Sequence, residues 1–155
     1  MGPVVQEPMQ RLDQAALDRL AERAARLLGM SAGEVVRFEG VARASLAGAW
    51  AGPGTPSPSP QMRTVTMALH PGGVHDLVQR SGRPARIADD ARNPDPVSQL
   101  LASLGLRCAM AVPIMVDGRL WGSLGVSSER PRGVRWRSRH LLAEVADEIG
   151  ATITV

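Results

Sequence analysis

Few residues in this chain are of types that could carry covalent or metal chemistry. There is one cysteine, Cys108, and there are three histidines, His70, His75 and His140. A single thiol cannot form and resolve an intramolecular disulfide. No His–Cys cluster has metal-ligand spacing, and no GxSxG, HExxH or glycine-rich phosphate loop occurs. Glu144, Asp147 and Glu148 fall on one helix in the pattern of an ordinary solvated face. The basic residues are all arginine, and 18 of them against 15 acidic residues leave a formal charge of +3. Arg130, Arg132, Arg135, Arg137, Arg139 and His140 crowd one short stretch. That cluster has two readings: solvated charge, or a contact for an anionic partner, because cations at a helix N-terminus oppose the macrodipole. Trp136 is the one aromatic within it, a poor signal for nucleic acid. The expectation is therefore a protein that is not an enzyme, with no catalytic or metal-binding residue assigned and its cofactor, if any, unknown.

The elements that position these residues follow from periodicity. A chain of 155 residues, 44% hydrophobic and 21% charged, is one globular domain's worth. We read 1–9 as an N-terminal tail and 10–155 as a single domain. No apolar run approaches the roughly 20 residues needed to span a bilayer. Met1 to Gln10 lacks the basic and apolar regions of a signal peptide. With the lone cysteine, this implies a cytoplasmic protein and no membrane partner.

Gln10 to Leu28 reads as an amphipathic helix capped by Gly29. Glu34 to Phe38 and Ala42 to Trp50 read as strands around a Glu39-Gly40 turn. Ala51 to Gln61 (AGPGTPSPSPQ) is a loop, read either as an insertion between strands or as a pocket lid. Arg63 to Leu69 alternates as a strand. Val74 to Gln79 is a short helix, Pro84 to Ala88 is extended, and Pro96 to Leu104 is a second short helix. Leu106 to Val116 and Arg119 to Ser128 form a hairpin around Asp117-Gly118, a strong turn signature. Arg135 to Thr154 is a long amphipathic helix with Leu141, Leu142, Val145, Ala146, Ile149 and Ile153 in its apolar stripe. An antiparallel sheet covered by helices, an α+β architecture, is the economical packing.

The stretch from Ser81 to Ser128 resembles the second half of a GAF domain. The resemblance rests on Gly82-Arg83-Pro84 before a short strand, Asp89-Asp90 in the next loop, Val112-Pro113-Ile114, the Asp-Gly turn, and Trp121-Gly122 opening the last strand. It extends over roughly Leu12 to Thr154. The resemblance implies an antiparallel sheet with the N- and C-terminal helices on one face, commonly forming a dimer bundle. Short helices and loops would roof a ligand pocket on the other face.

Alternation assigns the hairpin's faces. Leu106, Cys108, Met110, Val112, Ile114, Leu120, Leu124 and Val126 should meet the terminal helices. Ala109, Ala111, Trp121, Ser123 and Gly125 fall opposite, which the resemblance makes the pocket side. Small residues there either let a roofing helix pack close or leave a cavity for a planar ligand, with Trp121 as a stacking wall and Ser123 as a hydrogen-bonding group. The expected ligand-binding set adds Val74, Leu77, Val78 and Ile87, with Val97, Leu100 and Leu101 from the second short helix.

Family ligand classes can be tested against these residues. The Asn-Lys-Phe-Asp-Glu signature that goes with cyclic nucleotides is missing, since the chain has no lysine. No histidine lies between Asn93 and Arg107, where the family's haem ligand sits, which leaves His70 and His75 for a haem reading. Cys108, expected on the core face, does not suit a bilin thioether. The resemblance thus implies a small-molecule-sensing regulatory domain of bacterial signal transduction, a homodimer feeding a kinase, phosphatase or DNA-binding output in cis or trans. The alternatives are a ligand-free dimerisation module and a haem or redox sensor.

Overall fold

The first helix begins at a side-chain cap. Asp13 accepts the Ala16 N–H at 3.0 Å, satisfying one of the donors that a helix start leaves open, and α1 runs Gln14–Leu28. Gly29 closes it as expected, its N–H donating to the Arg26 carbonyl. The computed structural model describes residues 12–55, 63, 65–87, 107–130 and 133–153. After α1 come β1 (Ala32–Phe38), β2 (Arg43–Ala51), β3 (Thr66–Ala68), α2 (Val74–Ser81), β4 (Ala85–Ile87), β5 (Cys108–Val116) and β6 (Arg119–Ser128). A 3-10 turn at Trp136–Ser138 leads into α3 (Arg139–Ile153). The expected helix over 96–104 and Leu106 lie outside the described residues.

The strands form one antiparallel sheet in the order β3-β2-β1-β6-β5-β4. Asp117 and Gly118 both have positive φ, 51° and 74°, the geometry that matches a two-residue turn to the twist of its strands. The two terminal helices cover one face. Leu17, Ala21, Ala24 and Ala25 of α1 and Leu142, Val145, Ala146, Ile149 and Ile153 of α3 meet Val35, Cys108, Met110, Val112, Ile114, Leu124 and Val126. Each fully buried Leu, Ile or Val here adds roughly 1.5–3 kcal/mol.

Four expectations need correction. The strand over 63–69 shortens to three exposed residues, Thr66–Ala68, paired with Arg43–Ser45. Arg63 turns instead to Asp18 on α1, at 2.8 and 3.1 Å, and the same carboxylate accepts the Ala49 N–H at 2.8 Å. A side chain thus satisfies a β2 donor beyond the reach of β3.

Leu141 is 41% exposed, because Leu142, Val145, Ala146, Ile149 and Ile153 already complete the stripe facing the sheet.

The other two corrections come from one β-bulge. Ile114 pairs with Gly122 and Met115 with Leu120, leaving Trp121 as an extra residue on β6. An inserted residue reverses the facing of its neighbours along the strand. Leu120, expected against the helices, comes to the side of the exposed Met115. Trp121, expected on the pocket side, packs against the helix-side core, with the Arg37 guanidinium 5.9 Å from its ring centroid.

Candidate functional site

Helix α2 crosses the sheet face opposite α1 and α3. Val74 and Val78, four residues apart, share one side of it. They pack with Leu77 on Ala85, Ile87, Ala109, Ala111 and Phe38. Of the expected pocket residues, the structure therefore brings Val74, Leu77, Val78, Ile87, Ala109 and Ala111 together. Val97, Leu100 and Leu101 lie outside the described residues.

Three side chains of α2 make polar contacts, and those of Gln79 and His75 tie the helix to the sheet. The Gln79 side chain donates to the Gly40 carbonyl at 2.7 Å and accepts the Ala42 N–H at 2.8 Å, clamping the β1–β2 turn. Asp76, buried, accepts the Gly72 N–H at 2.8 Å and pairs with Arg80 at 2.8 Å. His75 does the rest. Its Nε2 lies 2.5 Å from Glu34 Oε1 on β1, and its Nδ1 lies 2.8 Å from Ser123 Oγ on β6.

The ring rests on Gly125. A Cβ added there would fall 2.6 Å from His75 Cε1 and 2.8 Å from Nε2. The small residue is what admits the imidazole. The space above Gly125 is thus taken by His75, whereas the sequence suggested an open hollow or a packed apolar side chain.

The proton roles are set by the donor inventory. A carboxylate only accepts, so Nε2–H donates to Glu34. Nδ1 then accepts from the Ser123 hydroxyl in the neutral ring, or donates to it in the imidazolium. Desolvation pushes the Glu34 carboxyl up, but the charge and hydrogen bond of His75 outweigh it and hold the group below the ordinary carboxylate range. Ser123 is 0% exposed. Sealed in this way, its hydroxyl ties helix to sheet and is not presented as a nucleophile.

Both ring nitrogens of His75 are engaged, so the histidine that the sequence left open for iron has no free lone pair in this arrangement. His70 is exposed. Among the described residues no three His, Cys, Asp or Glu side chains gather to hold a metal. Among the same residues no helix is long and apolar enough to cross a membrane.

Sequence reasoning missed Glu34 and Gln79, and the only role it weighed for His75 was as an iron ligand. Signals were present for two of them. Glu34 alternates with the core residue Val35, and His75 stands three residues before Val78 on the sheet-facing side of α2.

The GAF domain family model matches residues 14–153. The chain belongs to the GAF domain family. The fold of this GAF domain is similar to that of the Thermosynechococcus elongatus PixJ GAF domain in its blue-light absorbing form, at 17% identity and TM-score 0.70, over 90% of this chain and 83% of that one. It is also similar to the GAF domain of an Acinetobacter phosphoenolpyruvate-protein phosphotransferase, at 13% identity and TM-score 0.69, over 90% and 80% of the chains. A type II free methionine-R-sulfoxide reductase from Thermoplasma acidophilum aligns at 14% identity and TM-score 0.65, over 90% and 91%. At these identities the likeness establishes fold alone. Comparison of the sequence with curated proteins finds no match.

Proposed function

We propose that this GAF domain is a small-molecule-sensing regulatory module of bacterial signal transduction. A ligand would enter between the sheet and α2, and the domain would dimerise through its terminal helices. The observation that carries this reading is the His75 ring on Gly125, tied at both nitrogens. A roof held by polar ties is exchangeable. A ligand that offers hydrogen bonds to Glu34 and Ser123 replaces those of His75 at little net cost. Departure of the ring frees α2, provided that the ligand prefers the displaced state. In this reading the domain performs no reaction of its own. Its sole thiol, Cys108, is fully buried. Its output would be a kinase, phosphatase or DNA-binding domain, in cis or in trans.

A second reading, the ligand-free dimerisation module, is favoured by the same filled face. Native mass spectrometry of the wild type and of His75→Ala separates the two. Sensing predicts a dimer with a reproducible added mass, and His75→Ala should change its occupancy. A wild type and variant that both stay bare after exposure to cell extract would sink the sensing reading and leave dimerisation.

A further inference from the structure

The edge of the sheet carries a hollow away from the His75 site. It is an open cleft of about 440 Å³ lined by Leu77 and Ser81 of α2, Pro84, Ala85 and Arg86 at β4, and Trp136 of the 3-10 turn. That volume falls within the roughly 300–1,000 Å³ of small-molecule sites. Leu77, Pro84, Ala85 and the Trp136 ring make its walls apolar. Arg86 supplies the charge. Its Nε is buried without a hydrogen-bond partner, and among the described residues it has no ion pair. A buried donor without an acceptor is costly, and the guanidinium carries four further N–H donors with which Arg86 can meet a ligand in the cleft it lines.

Trp136 is 41% exposed, large for an indole. The Arg139 guanidinium stands 4.9 Å from its ring centroid, adding positive charge beside the cleft. An aromatic wall and a planar guanidinium together select a flat apolar body with an anionic end. The indole takes the first by stacking, and the arginine takes the second through paired hydrogen bonds.

We propose that this cleft binds small aromatic carboxylates. The site goes beyond the sensing site under α2 and does not depend on it. Its position has a consequence. Leu77 belongs to the roof helix on one face of the sheet, whereas Trp136 leads directly into α3, which packs on the other face. A ligand spanning them ties the roof to the C-terminal helix around the β4 edge.

The test uses 1-naphthoate as probe and 1-naphthalenemethanol as its uncharged counterpart. Indole N–H signals of Trp50, Trp121 and Trp136 are followed by NMR during titration of the full chain. The expected result is a saturable shift confined to Trp136, with the carboxylate bound at least about tenfold more tightly than the alcohol. Arg86→Gln should abolish that difference, and Trp136→Leu, at an exposed position, should weaken both probes. Hydrogen exchange should slow in α2 and in the first turn of α3 when naphthoate is bound. No saturable shift at millimolar naphthoate overturns the proposal. So do equal affinities for the two probes in the wild type, or a response at Trp50 or Trp121 in place of Trp136.

Discussion

His75 and Glu34, 41 residues apart in sequence, meet at 2.5 Å and join the roof helix to an inner strand of the sheet. The pair makes folding sensitive to acid in a definite sense. Glu34 has its carboxyl lowered in the folded chain. The stability from its ionised form is therefore fully present above the ordinary carboxylate value. It is lost as pH falls through the lowered folded value. Wild type should exceed Glu34→Gln in stability at neutral pH, and the gap should close below about pH 4. Urea denaturation of both proteins across that range checks it; a gap that is constant with pH would contradict the assignment. The effect is expected to be small, because the Glu34 side chain is 47% exposed and solvent screens the pair.

Gly125 tests whether the seat of the ring matters. Gly125→Ala puts a methyl where His75 lies, so the ring must leave or the sheet must shift. A loss of about 1–3 kcal/mol is expected, with faster hydrogen exchange in α2 and little change in α1 or α3. Ser123→Ala, which removes one tie without crowding, should cost about 1 kcal/mol. Unchanged exchange in α2 for both variants would show that the ring does not hold the helix down.

Gly150 reports on how closely α3 approaches β5. A Cβ there would collide with the Met115 carbonyl oxygen. Helix propensity alone favours Ala over Gly by about 1 kcal/mol. We expect the opposite sign for Gly150→Ala, a destabilisation of about 1–3 kcal/mol from overpacking. A raised melting temperature would mean that helix and strand are less tightly opposed than described.

The proposed dimer must use what the monomer core leaves uncovered. Ile149 is fully buried within its own chain, so Ile149→Asp should unfold the domain and tells nothing of assembly. Leu27 and Leu141, at 48% and 41% exposure, stand on the outer sides of α1 and α3. Arg19, Arg23 and Arg26 are exposed on α1 and Glu144, Asp147 and Glu148 on α3, and Arg23 pairs with Glu148 within one chain. Under the proposal, Leu27→Asp with Leu141→Asp should give a folded monomer by sedimentation. A doubly substituted protein that remained dimeric would move the interface elsewhere.

The outline of the fold was legible because it is written in local periodicities. The 3.6-residue stripe of α1, the alternation of β5 with the far part of β6, and the Asp117-Gly118 turn each depend on neighbours within a few residues. The six expected residues that cluster at α2 came from the family resemblance, which chose the pocket face that alternation alone leaves open. The order of these elements also carried the family resemblance.

What periodicity cannot reach is where alternation breaks and which distant side chains meet. The bulge at Trp121 reverses two side chains because strand pairing, not composition, decides where an extra residue is absorbed. His75 finds Glu34 and Ser123 across 41 and 48 residues. Leu77 and Trp136 come to share one cleft only because the sheet edge runs between their helices. The sequence by itself determined the layers and the small residues between them. Tertiary structure alone decided that Gly125 receives an imidazole, since that outcome rests on the close approach of three elements that no local pattern relates.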